Sequence, residues 1–381
     1  MLLYNYKQPC VWFCYINYVL KDRRIWMSML MALPTTLATA FLKVYEVHEG
    51  KEWFRKQVAD EDGVLYSSLS FFVSFVVLFR IDLSYARFKD GCKNAFIMTG
   101  DFFDSASLLI SFCRISTADQ SLIDNFQHQI LRLFSLLNAL IFADLEDCTD
   151  VDIALEYEVI DLEGFDQETM EKLRQSSNRV PIVFQWLQDV MVDNIHNGVL
   201  NVPPPIITRA FQELGRGMVK YHEATDVARV PFPFPLASTT ELLLVAQCCV
   251  TPVVIVRWTD YVTLAIIFSF LLVFILWFFV GVSTCLENPF DGGRHSLNTK
   301  ELQHEHNSRL LSLLLPESQR MPQLSSRAVV DFHDLAKRST TGATLRNSLN
   351  AAGLSETHVN RARLSRGGSR LSRSRNSAVS T

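Results

Sequence analysis

Two long stretches of this chain carry no charge at all. Residues 25–42 run for 18 residues, and residues 262–286 for 25, without an Asp, Glu, Lys or Arg. As helices rising 1.5 Å per residue they reach about 27 Å and about 37 Å, the first close to a hydrocarbon core and the second long enough to tilt. Pro34 falls inside the first, where a membrane helix accommodates it as a kink. Two shorter apolar stretches, 65–79 and 242–256, have 15 uncharged residues each, about 22 Å as helix. Only Arg257-Trp258-Thr259-Asp260 and Tyr261 separate 242–256 from the last stretch, so these two read as a helical hairpin with an aqueous tip. The pattern predicts four spans with both termini on one side.

Basic residues set the orientation. Lys21, Arg23 and Arg24 precede the first span; Arg80, Arg87, Lys89 and Lys93 follow the second; Arg229 precedes the third; Arg294 and Lys300 follow the fourth. The positive-inside rule puts all of these in the cytoplasm, and the loop 43–64, with more acids than bases, outside. Between the second and third spans, Phe126, Ile130, Leu133, Phe134, Leu137 and Ile141 repeat at helical spacing, and Trp186, Val190, Val192 and Ile195 more loosely. The expected fold is therefore an all-α membrane protein, four transmembrane helices plus a helical cytosolic domain. Its expected divisions are a cytosolic N-terminal segment at 1–24, two spans and the segment below them at 25–95, and a cytosolic helical domain at 96–230. The last two spans at 231–292, a cytosolic segment at 293–352 and a disordered tail at 353–381 follow.

Charge divides the chain further. The net charge of −4 over 381 residues combines a tail, 353–381, of six Arg against one Glu with a body at −9. The tail holds seven Ser and no aromatic residue, too little apolar surface to offset chain entropy. Its Arg366 and Ser369 have the spacing of a basophilic kinase site, with an unmodified basic tail near an anionic leaflet as the alternative. The 12 acids at 144–171 lack the spacing of a calcium loop and read as a solvated surface. The opening Met-Leu-Leu-Tyr-Asn-Tyr has no basic n-region or cleavage site, so no signal peptide is expected. Gly-x-Ser-x-Gly, Gly-x-Gly-x-x-Gly, P-loop and Cys-x-x-Cys patterns are all missing, which argues against an enzyme. Cys10 and Cys14 are weak lipidation candidates, and His304-x-His306 has no third ligand nearby, so no metal or cofactor is expected.

The chain has 27 Phe against 10 Tyr, and Phe needs a dry place to sit. In the second span Phe71, Phe75 and Phe79 recur at i, i+4, i+8 on one helix face. A packing or lipid face is one reading; a hydrophobic constriction that gates by dewetting is the other. Ser67, Ser68, Ser70 and Ser74 make this span unusually polar for a lipid-facing helix, which favours a pore liner.

Three segments resemble the bestrophin family of anion channels: 75–88, from Phe75 through Phe79-Arg80 to Arg87-Phe88; Arg229-Val-Pro231-Phe-Pro233-Phe-Pro235; and Glu287-Asn288-Pro289-Phe290. Weaker similarity runs through 159–165 and 197–200. The resemblance implies a homopentamer around one pore. In it Phe71, Phe75 and Phe79 line the neck, Leu200 falls at a cytosolic aperture, and Arg80, Arg87, Pro231, Pro233, Asn288, Pro289 and Phe290 belong to family motifs. It implies chloride as the leading ion, bicarbonate or another small monovalent anion as further candidates, and membrane lipid and self as partners, with no nucleic acid. A cation-selective channel on the same frame and a non-conducting scaffold are the alternatives. Animal members follow the Asn-Pro-Phe with an acidic calcium clasp; here Asp291-Gly292-Gly293-Arg294-His295 supplies one acid, so calcium activation of that kind is not expected. The plasma membrane is the expected location and the plastid thylakoid the alternative. Deleting residues 353–381 should leave oligomeric assembly intact by size-exclusion light scattering, and a monomeric product would contradict the reading of the tail.

Overall fold

The computed structural model describes residues 22–49, 62–147, 157–293 and 296–331. The expectations for Cys10, Cys14, Arg294, His295 and the tail lie outside these residues. The described chain is helical and contains no strand. Its elements are α1 (Arg23–Glu49), α2 (Asp62–Phe112), α3 (Gln120–Leu145), α4 (Gln167–Gln175), α5 (Arg179–His196), α6 (Pro204–Arg229), α7 (Phe234–Trp258), α8 (Val262–Leu286), α9 (Thr299–Ser312) and a single turn, α10 (Pro316–Gln319). The described residues up to Gln319 form one compact unit, and those from Arg320 belong to a second, in which 320–331 is irregular chain with a turn closed by Ala328 N–H donating to the Ser325 carbonyl.

The first layer is built inside out. On α1 the buried stripe is Ile25, Ser28, Ala32, Thr35, Thr39 and Lys43, while Trp26, Leu30, Leu33, Leu37 and Phe41 are exposed. On α8 the buried stripe is Ala265, Ser269, Val273, Leu276, Val280 and Ser283, with Ile267, Phe268, Leu271 and Ile275 outside. Small and hydroxylic residues let helices approach closely, and large apolar side chains face away, the arrangement expected where lipid replaces water as solvent. Hydroxyls pair across the seam: Thr39 with Ser269 at 2.8 Å, Ser84 with Ser283 at 2.8 Å, Tyr66 with Thr251 at 3.0 Å. At the far end Lys43 donates to Glu46 (2.6 Å) and to the Val256 carbonyl (2.7 Å), capping the end of α7.

α2 joins this layer to the second. Its 51 residues reach about 77 Å, so one continuous helix runs through the expected division at 95/96. A single face is buried along its whole length: Tyr66, Val73, Val77, Arg80, Ser84, Gly91, Ala95, Met98, Phe102, Ala106 and Leu109 step by three, four or seven residues. The upper part of that face meets α7 and α8, where Val73 and Val77 cluster with Leu244, Leu276 and Val280. The lower part lies along α6, and there Gly217 is required: a Cβ would fall 2.3 Å from the Phe102 ring.

The second layer has α3 at its centre. All six apolar residues expected at helical spacing, from Phe126 to Ile141, are buried. Among the described residues five helical segments are long and apolar enough to cross a membrane, α3 among them, but 78% of its apolar window is buried inside the protein. A helix apolar on every side is stable when protein surrounds it on every side. On α5 the buried row is Val180, Val183, Leu187 and Met191, not the expected Trp186, Val190, Val192 and Ile195. Trp186 and Val190 flank that row, half-buried against the core, while Val192 and Ile195 are exposed.

α9 docks on α3 through a buried polar net. Ser135 Oγ donates to Asn307 Oδ1 (2.7 Å), Asn138 Nδ2 to Gln303 Oε1 (2.7 Å), and Asn307 Nδ2 to the Glu158 carbonyl (2.6 Å). Beside it His306 is fully buried, and neither ring nitrogen has a hydrogen-bond partner among the described residues. His304 points outward to Glu158 at 2.7 Å, so the two histidines diverge.

Burial, with Arg309 adding to it, holds His306 down at about 3 against 6.5 unperturbed. The unfolded chain therefore takes up a proton below pH 6.5 that the folded chain refuses, and stability falls as pH drops from there towards 3. The loss reaches about 2 kcal/mol by pH 5. His306→Leu should flatten this part of a pH-resolved melting profile, and an unchanged slope would place the sensitivity elsewhere.

Candidate functional site

The rotation of α2 decides what its other face presents. Because Val73, Val77, Arg80 and Ser84 are turned into the bundle, Phe71, Phe75 and Phe79 are turned out, at 76%, 59% and 48% exposure. These are three large aromatic rings on a helix whose opposite side is fully packed. The serines divide differently from expectation. Ser70 accepts from Gln247 Nε2 at 2.6 Å and so belongs to the α2–α7 contact, while Ser67 and Ser68 bond back to the carbonyls of Gly63 and Val64.

One turn below Phe79 the three motifs singled out in the sequence meet. Pro231 and Pro233 break the chain between α6 and α7. Pro231 has no N–H, so the Val227 carbonyl loses its helical partner, and Val230 before it is extended, at ψ 113°. Arg87 supplies the missing donors: its Nη2 reaches the carbonyls of Val227 (2.9 Å) and Val230 (2.5 Å), and its Nε reaches the Glu287 carbonyl at the end of α8 (3.3 Å). One guanidinium therefore closes the ends of two helices against a third.

The Asn288-Pro289-Phe290 turn sits on the same spot. Asn288 Oδ1 accepts from the Phe290 N–H (2.9 Å), the Pro289 carbonyl accepts from Leu297 N–H (2.7 Å), and Phe290 is buried in the core of the second layer. Gly91 makes room for it: a Cβ there would stand 2.5 Å from Pro289 Cγ and 3.3 Å from the Phe290 ring. Asp291 accepts from Gly293 N–H (2.9 Å) around Gly292, whose φ of +67° suits glycine.

Arg80 lies between the phenyl row and this turn. It is 3% exposed, donates from Nη2 to Glu287 Oε1 at 3.0 Å, and holds its guanidinium carbon 5.6 Å from the centre of the Phe232 ring. Its Nε and Nη1 have no hydrogen-bond partner among the described residues. A buried charge with one carboxylate and one aromatic face is tightly committed to that position.

Leu200 has other surroundings than those expected of an aperture. It follows the left-handed Gly198 (φ +79°), its N–H donates to the Asn194 carbonyl at 3.0 Å, and at 2% exposure it packs into the core of the second layer. Its side chain faces protein rather than open space, so it forms no part of the exposed face described above. Among the described residues no group of three or more His, Cys, Asp or Glu is placed to hold a metal ion. Sequence reading had Glu287 and Phe232 inside its motif segments without giving them a role, and passed over Gly91. Their signal was adjacency: Glu287 precedes the Asn-Pro-Phe, Phe232 lies between the two prolines, and Gly91 continues the 80, 84, 87 stripe.

A sequence profile described as bacterial/fungal bestrophin protein matches residues 19–312. The chain belongs to the bestrophin family. Solved structures agree on the fold. A crystal structure of a membrane protein carrying a Pro-to-Ala substitution aligns with a TM-score of 0.62 at 13% identity, over 77% of this chain and 99% of its own. Two structures of a bacterial bestrophin homolog from Klebsiella pneumoniae align with TM-scores of 0.59 and 0.58 at 12% and 14% identity. They cover 76% and 78% of this chain and 97% and 98% of theirs. No curated protein matches. This bestrophin is thus an all-α integral membrane protein whose three motifs converge at one junction.

The Arg80–Glu287 pair makes an asymmetric prediction. Glu287 is 21% exposed and hydrates if its partner goes, whereas Arg80 does not. Glu287→Gln should therefore destabilise by about 3 kcal/mol or more, Arg80→Met by less, and the double variant should recover most of the loss. Denaturant unfolding in detergent reads all three; additive losses would show the pair uncoupled.

Proposed function

We propose that this bestrophin is an anion-selective channel, chloride first, built as a homopentamer whose central neck is lined by Phe71, Phe75 and Phe79. The observation that carries the proposal is the outward row of three phenyl rings on a helix whose other face is locked into the bundle. Among the described residues nothing covers this row, and five copies around an axis would gather it into a ring-lined constriction. The spans are α1, the upper part of α2, α7 and α8; the burial of α3 within protein supports leaving it out.

Ring edges carry partial positive charge, so a dry phenyl neck favours an anion that sheds part of its hydration over a cation that must face ring edges. A constriction of this kind closes by losing its water and opens with small changes in ring position. The family's frame and the motif junction below the row support a transport role over a scaffold. Cation selectivity on the same frame is the competing outcome.

Purified protein in planar bilayers tests the reading. A reversal potential that follows chloride is expected, one that follows Na⁺ or K⁺ refutes anion selectivity, and absence of current refutes the channel. Phe75→Ala should widen the constriction and raise open-state current at least severalfold; unchanged currents from a folded variant would exclude this face as the neck.

A further inference from the structure

The exposed face of α2 does not end with the phenyl rings. Continuing at the same helical angle below Phe71 and Phe75 come Asp82, Lys89, Lys93 and Phe96, at steps of seven, seven, four and three residues from Phe75. All four are exposed, and all lie opposite the buried stripe of Arg80, Ser84, Gly91 and Ala95. Arg87 is turned away to its carbonyls, and Asp90 lies about 100° around the helix from Lys89. Asp82, Lys89 and Lys93 make no ion pair among the described residues. The face that is apolar at the neck thus becomes charged beneath it, first acidic and then basic.

We infer that this stripe adjusts the anion preference set by the phenyl neck, with Asp82 lowering it at the neck and Lys89 and Lys93 concentrating anions below it. This rests on the pore reading above. Distance separates the two roles. Asp82 stands about 4.5 Å below Phe79 along the helix axis, whereas Lys89 and Lys93 stand about 15 Å and about 21 Å below it. The screening length at physiological salt is about 8 Å. An ion among the last phenyl rings therefore feels the carboxylates directly and the ammonium groups hardly at all. The lysines act on the ion population that reaches the neck, as charges of one sign in a confined mouth do. In a symmetric assembly each position is repeated in every subunit, so one side chain sets a ring.

The two roles have different readouts in bilayers. Asp82→Asn should raise the anion-to-cation permeability ratio about threefold, seen as a shift of reversal potential under a salt gradient that persists at high salt. Lys89→Gln with Lys93→Gln should lower anion conductance about two- to threefold at about 0.05 M salt, and the deficit should vanish near 1 M, with little change in reversal potential. All three positions are exposed, and size-exclusion profiles matching the unaltered protein establish that the variants assemble. If Phe75→Ala alters the current while Asp82→Asn leaves the reversal potential fixed or shifts it towards cations, the stripe does not adjust the preference and the pore reading stands. A double lysine variant with undiminished low-salt conductance overturns the lysine half. Absence of current from the unaltered protein overturns the pore reading itself.

Discussion

Arg87 occupies the point where proline and a helix end leave carbonyls without donors, and much of the architecture is held there. A proline at 231 is needed to turn α6 into α7, yet it strips the Val227 carbonyl of its helical partner. A guanidinium from a third helix repairs this and takes the end of α8 as well. The first and second layers are thereby tied at the waist of one helix. The Asn-Pro-Phe turn pressed against Gly91 adds a second tie through Phe290, which reaches into the core of the second layer.

The rigidity of that waist has a consequence for the face of α2 directed away from the protein. A continuous helix transmits rotation, so the packing of Arg80 against Glu287 and Phe232 fixes the angle at which Phe71, Phe75 and Phe79 project. The same angle carries on to Asp82, Lys89 and Lys93. Aromatic and charged parts of the outward face are therefore set by contacts made on its opposite side.

Much of the fold could be read from residue order alone, for reasons that are local. The uncharged stretches at 25–42 and 262–286 are spans because lipid offers no hydrogen bonds, so a crossing chain must be helical, long and apolar. The i, i+4, i+8 phenyl row and the α3 row are consequences of 3.6 residues per turn. Other features eluded sequence reading because they depend on partners far away in the chain. Arg80 and Arg87 looked like the cytoplasmic end of a span, yet each is held inside by Glu287 or by bared carbonyls some two hundred or one hundred and forty residues on. Ser70 looked like a pore-facing hydroxyl and instead receives a hydrogen bond from Gln247. Leu200 matched a motif by position, but the left-handed turn at Gly198 folds it into the core.

The sequence by itself determined the class of the protein: helical, membrane-embedded, with an aromatic row on its second span and three motifs in a fixed order. These follow from period, length and charge, which any stretch of chain carries within itself. Only the tertiary structure decided that the second apolar stretch continues as one helix into the second layer, which way that helix is turned, and that the three motifs meet. A helix can rotate about its axis without altering its own hydrogen bonds, so nothing within it selects the angle. That choice belongs to Val73, Val77, Arg80, Ser84, Arg87 and Gly91 and to the distant residues they pack against.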